Sequence, residues 1–160
     1  QILLKSMASE QDRRRFTEDV SLVFEAMHFP RMAGRVWAAL LVSDKPQLSA
    51  ADLQEQIGAS AGSISAAIAT LSQLGIIERV WVPGDRRNYY AAPTSALDRL
   101  LQRRAEALTL MVELAERGVE TFSDVDLAAE RLTYLRDLYA WFDREYDILL
   151  ERWREEQQKP

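Results

Sequence analysis

The residues of this chain best suited to chemistry with a partner are cations on a turn. Pro83-Gly84-Asp85-Arg86-Arg87 sets two adjacent guanidiniums behind a Pro-Gly break, and each is a planar fork of donors that matches phosphate oxygens. Catalysis is poorly provided for. A single His, His28, and no Cys exclude thiolate chemistry and Cys-ligated zinc, and there is no H-E-x-x-H, Gly-rich phosphate loop or G-x-S-x-G. The many carboxylates stand among arginines on helix faces, which is ordinary solvated ion pairing. His28 falls at a helix end, where the dipole mildly favours an imidazolium. The expectation is a protein that binds rather than transforms: no enzyme, no metal and no cofactor.

Composition narrows the setting. At 160 residues, 48% hydrophobic and 28% charged, the chain can bury a core in water. The absence of Cys suits a reducing compartment, and the cytoplasm is expected. No apolar run approaches the roughly 18 residues a membrane span needs, and Ile2-Leu3-Leu4 is too short for a signal-peptide core. Gln1 to Ser6 reads as an expression remnant ahead of a start at Met7. The formal charge of −5 is unevenly spread. Residues 1–29 hold four Lys and Arg against five Asp and Glu, residues 30–92 six against five, and residues 93–160 ten against fifteen. The acidic excess is therefore C-terminal, and an overall acidic chain is compatible with a local basic footprint for nucleic acid.

Around the turn, the elements can be read in order. Phe16, Val20, Val23 and Met27 lie on one stripe of a helix that Pro30 stops, and a second helix runs from Arg31 to Val42 with Met32, Val36, Trp37 and Leu40 inward. Ser49, with Asp52 three positions on, caps a short helix over Ala50 to Ile57 that Gly58 ends. Ser60 caps the next, through Leu74, with Ile64, Ile68 and Leu71 inward and Gly62, Ala66, Ala69 and Gln73 on the far side. After Gly75 the period changes to two: Ile76 to Val82 reads as a strand, and Asn88 to Ala91 as its return across the arginine turn. Helices follow from Pro93 to the end. In the last, Ala128, Leu132, Leu135, Tyr139, Phe142, Tyr146, Leu149 and Trp153 repeat at alternating spacings of four and three, a heptad seam. Leu138, Trp141 and Ile148 add a second flank. A helix on the order of 45 Å long, at 1.5 Å per residue, overhangs a small domain, so this surface is expected to meet another chain.

Helix, short turn, helix and hairpin make a winged helix, whose second helix fits a DNA major groove while the hairpin tip reaches the adjacent backbone or minor groove. The residues Leu71-Ser-Gln-Leu-Gly75-Ile-Ile-Glu-Arg79 and Gly84-Asp85-Arg86-Arg87 resemble the MarR-type winged-helix signature. Residues 30–92 carry the resemblance; the flanking helices match the family's dimerisation elements in layout. Met32-Ala-Gly-Arg35 and the Gly-Asp-Arg-Arg wing are similar to the GbsR-like branch, which includes actinobacterial repressors of lipophilic-compound efflux pumps.

The resemblance implies a mainly α homodimer with long N- and C-terminal dimerisation helices: residues 1–29 as an N-terminal dimerisation helix, 30–92 as the DNA-binding lobe, and 93–160 as a C-terminal dimerisation region. It implies a transcriptional regulator, usually a repressor, on a pseudo-palindromic double-stranded operator, whose ligand alters the spacing of the two lobes. Carried over by position, Ser60, Ser63, Ser65 and Thr70 would approach bases or phosphates, Arg86 and Arg87 would serve the wing, and Asp85 would hold a wing arginine. One departure stands out: the helix from Ala61 to Leu74 has no Lys or Arg, so the commonest bidentate reader of guanine is missing, and specificity is expected to lean on shape and the wing. Phe16, Val20 and the seam from Leu132 to Trp153 are the expected dimer interface. Phe24, Met27, Phe29, Met32 and Trp37 form either core or a pocket for a small apolar effector. The rival reading is a winged-helix adaptor that binds only protein.

Overall fold

The computed structural model describes residues 9–159; the expected remnant at 1–6 and the start at Met7 lie outside the described residues. Six helices and three short strands run in the order α1 Glu10–Ala26, α2 Arg31–Leu41, β1 Leu48–Ser49, α3 Ala50–Ile57, α4 Ala61–Leu74, β2 Glu78–Val80, β3 Tyr89–Ala91, α5 Thr94–Thr121 and α6 Asp126–Gln157. One compact unit ends at Leu97 and a second begins at Asp98. Among the described residues no single helix is long and apolar enough to cross a membrane.

In the first unit α2 is the central rod, packed on α1, α3 and α4. Its Ala33, Val36 and Ala38 are sealed from solvent beside Leu48, Leu53, Ile64 and Leu71. The α1–α2 crossing is close because Gly34 has no side chain: a Cβ there would lie 2.8 Å from Ser21 Cα and 3.0 Å from the Val20 carbonyl oxygen. Ser21 is fully buried at the crossing, its hydroxyl donated to the Glu18 carbonyl. Ion pairs of Arg35 with Glu18 (2.9 Å) and Arg13 with Asp44 (2.7 Å) flank it. Arg13 also donates to the carbonyl of Val42, the residue after α2. At the C-terminus of α1 the chain turns at His28 in the left-handed region (φ 63°), and Phe29 N–H closes on the Phe24 carbonyl at 2.8 Å.

The helix caps follow the pattern of the sequence. Ser49 and Asp52 form a reciprocal capping box on α3, Ser60 caps α4, and Gly58 and Gly75 take the left-handed conformation that ends each helix. Between α3 and α4 the chain bends by 114°, within the usual range for a helix-turn-helix. The sheet holds one strand more than the expected hairpin. β1 pairs antiparallel with β3, Leu48 opposite Tyr90 and Ser49 opposite Tyr89, giving the order β1-β3-β2. The first hairpin strand is shorter than the sequence reading of Ile76 to Val82. Ile76 and Ile77 are both buried, so they plug the core after the α4 turn instead of alternating, and pairing begins only at Glu78.

The second unit holds the remainder of α5, antiparallel to α6. Ala115 is its buried residue on α5, Gly118 lets Leu132 approach, and Thr109 donates to Asp143 at 2.8 Å. α6 is 32 residues long and buries none of them. Its seam residues Phe142, Leu149 and Trp153 are each about half exposed, as are Trp141 and Ile148 on the flank.

Candidate nucleic-acid interface

The wing is built by a tight turn. Asp85 N–H donates to the Val82 carbonyl at 3.1 Å across Pro83 and Gly84, and Gly84 has φ 80°. Pro second and a left-handed Gly third is the arrangement of a type II turn. The turn delivers Asp85 against the residues that follow. Its Oδ1 accepts the backbone N–H of Arg87 at 2.9 Å, its two oxygens accept the Arg87 guanidinium (Nε at 3.0 and 3.1 Å, Nη2 at 2.6 Å), and Oδ2 also accepts the Tyr89 hydroxyl at 2.8 Å. The Arg87 guanidinium carbon sits 5.2 Å from the centre of the Tyr89 ring. These bonds, those from the Arg87 side chain foremost, hold the Asp85 carboxyl well below the usual carboxylate range, and the same carboxylate pushes the Tyr89 phenol up. Arg87 is thereby fixed in direction with its outer edge still half exposed. Arg86 is exposed and has no partner among the described residues.

The helix α4 offers a different surface. Ile64, Ala67, Ile68 and Leu71 are buried. At 100° per residue, the stripe opposite them is Gly62, Ala66, Ala69 and Gln73, all exposed. The hydroxyl residues lie on its flanks, Ser65 on one side and Ser63 and Thr70 on the other. Three of these hydroxyls, those of Ser60, Ser63 and Thr70, are partly committed inside the protein: Ser60 Oγ accepts the Ser63 N–H at 3.3 Å, and Thr70 donates to the Ala66 carbonyl at 3.1 Å. Ser60 and Ser63 also share a hydrogen bond at 3.0 Å, while Ser65 has no partner among the described residues. Gln73 lies outside the expected site residues, yet the 3.6 period places it outward, it is exposed, and its amide matches an adenine edge.

The aromatic cluster at the end of α1 is packed. The Phe24 ring lies 5.6 Å from Trp37 and 6.0 Å from Phe29 in tilted contact, Met32 is half-buried, and Met27 projects into solvent. A polar cleft of about 660 Å³ opens elsewhere on this unit, lined by Arg13, Arg14, Glu18, Arg35 and Glu55 among others.

Comparison with known proteins identifies the class. A model of MmpR5-like MarR family transcriptional regulators matches residues 95–156. HTH-type transcriptional regulator MmpR5 of Mycobacterium tuberculosis is 34% identical over 138 residues, 86% of this chain and 84% of that protein. The crystal structure of a transcriptional regulator superposes with a TM-score of 0.77 at 32% identity, over 90% of this chain and 99% of the other. The adaptor reading is set aside. A helix-turn-helix of this geometry, a wing of this chemistry and kinship at this level place the chain in the MarR family of winged-helix transcriptional regulators, which are DNA-binding proteins and not enzymes.

Proposed function

We propose that the chain acts in the cytoplasm as a homodimeric, ligand-responsive repressor whose two wings and two α4 helices grip a pseudo-palindromic operator. The observation that carries this reading is the wing: a carboxylate that aims Arg87, beside an Arg86 with no partner among the described residues. In this reading Arg86 and Arg87 bind phosphates or the minor groove. Ser60, Ser63, Ser65 and Thr70 border the α4 face that enters the major groove. Dimerisation supplies two such faces about 34–36 Å apart, one turn of duplex. The apolar seam of α6 from Leu132 to Trp153, half-buried at Leu132, Leu135, Tyr139 and Tyr146 and exposed at Phe142, Leu149 and Trp153, supports a second copy as its cover, with Phe16 and Val20 contributing from α1.

Repression would be relieved by a small apolar effector held near Phe24, Phe29 and Trp37, with Met27 and Met32 at the rim; its differential affinity for a lobe spacing that DNA rejects would shift the population. Met32-Ala-Gly-Arg35 and the Gly-Asp-Arg-Arg wing support a place in the GbsR-like branch and control of lipophilic-compound efflux. Gel-shift titration against DNA upstream of its own gene, with sedimentation of the complex, tests the reading. Two chains per duplex and a salt-sensitive, sequence-selective complex are expected. One chain per duplex, or equal affinity for all sequences, contradicts it.

A further inference from the structure

Trp81 is the most exposed large hydrophobic residue of the described chain, 78% open to solvent. It stands one residue beyond β2, on the strand side of the wing and two residues before the Pro83-Gly84 turn. An indole offers a large apolar face, and nothing in the core or the sheet uses this one. Its neighbours are charged. Trp81 shares a shallow recess with Arg79, Arg86, Arg87, Asp85 and Asn88. Arg79, two residues before Trp81, falls on the same face of the chain and donates to the Asn88 side-chain oxygen. Asp85, the single carboxylate there, has both oxygens occupied by Arg87 and Tyr89. The recess is thus an aromatic plate ringed by three guanidiniums with its acid already neutralised.

We infer that Trp81 is a DNA-contacting residue, packing its indole on the deoxyribose faces along the groove edge while the neighbouring arginines hold phosphates. Charge complementarity selects a polyanion as the occupant, and sugars are the apolar surface that lies between consecutive phosphates. The position on the strand, behind the tip, puts the ring at the flank of the groove and not on its floor. Trp81 therefore adds affinity without reading sequence, which suits a recognition helix that lacks Lys and Arg. This inference rests on the regulator reading above and adds to it a residue and a type of contact.

The test uses the full chain, a duplex selected by the wild-type protein from a random pool, and a scrambled duplex of equal length. Binding is followed by anisotropy over a range of salt concentrations, and tryptophan emission is quenched with acrylamide with and without DNA. Trp81→Ala is expected to weaken binding to both duplexes by about ten-fold with an unchanged salt slope, because no cation is removed. Trp81→Phe should lose less, and Arg86→Ala should lower the slope by about 1. DNA should shield part of the wild-type emission from acrylamide, and this protected part should be missing in Trp81→Phe. Wild-type affinity in Trp81→Ala, a lowered salt slope in that variant, or emission that stays fully quenchable in the complex would each overturn the inference. Thermal melting monitors folding, and the quenching arm does not depend on the Ala variant. A wild-type chain that selects no duplex would instead overturn the regulator reading, and this inference with it.

Discussion

Asp85 and Arg87, two residues apart, face each other through a forked pair of hydrogen bonds of 2.6 to 3.1 Å, and the same carboxylate accepts the backbone N–H of Arg87. The arginine is too exposed for the pair to add much stability. Its effect is to spend the rotamer freedom of Arg87 before DNA arrives. Asp85→Asn should therefore weaken operator binding several-fold despite removing a negative charge from a polyanion-binding surface. Tighter binding by Asp85→Asn in an anisotropy titration would show that the carboxylate merely opposes the DNA.

Gly62 stands in the first turn of α4, and a Cβ built there meets nothing within 4 Å. Neither sterics nor a positive φ asks for glycine, which is costly in a helix by up to about 1 kcal/mol relative to Ala. Gly62→Ala should stabilise the free protein by about 0.5–1 kcal/mol in denaturant unfolding and weaken operator binding, because the outward stripe is where the backbone must come close to base edges. A gain in stability with no loss in binding would remove Gly62 from the interface.

Gly34 is the opposite case. With Ser21 Cα 2.8 Å from the added carbon, Gly34→Ala must push α1 away from α2, because the obstacle is backbone and cannot rotate aside. A loss of about 1–3 kcal/mol is expected, read as a lowered midpoint in urea. An unchanged midpoint would mean that the α1–α2 crossing is looser than described.

The capping box of α3 makes a pH prediction. Hydrogen bonds from the Ser49 hydroxyl, then from its backbone N–H, lower the Asp52 carboxyl below its ordinary value. A carboxyl depressed by folding adds stability that is fully present above its unfolded pKa, near 3.9, and is lost as pH falls through the lower folded value. Ser49→Ala should cost about 1 kcal/mol at neutral pH and return Asp52 toward the ordinary range in a carbon-13 carboxyl titration. An Asp52 titration unmoved by the substitution would contradict the assignment.

Local signals made much of this fold readable from sequence. Ser49, Gly58, Ser60 and Gly75 mark both ends of α3 and α4, and a Pro-Gly pair before two arginines marks the wing. What escaped was non-local or too short. β1 is two residues whose pairing partner lies some forty residues away, at Tyr89 and Tyr90. The buried pair Ile76 and Ile77 mimics a strand start while belonging to the core. In the site, the doubled arginine could be seen, but not that Asp85 would take Arg87 and leave Arg86 unpaired. Nor could periodicity show that Thr70 already donates its hydroxyl to the Ala66 carbonyl of its own helix, whereas Ser60 caps α4 as its sequence position indicates.

In the proposed complex the arginine wing is a phosphate-binding device. The most direct measurement is the salt dependence of operator affinity for the Arg86→Ala, Arg87→Ala double variant beside the wild type. Weaker binding at every salt concentration and a slope lowered by about one for each arginine withdrawn from a phosphate are expected, with the thermal midpoint unchanged. Superimposable affinity and slope for the two proteins would contradict that role of the wing.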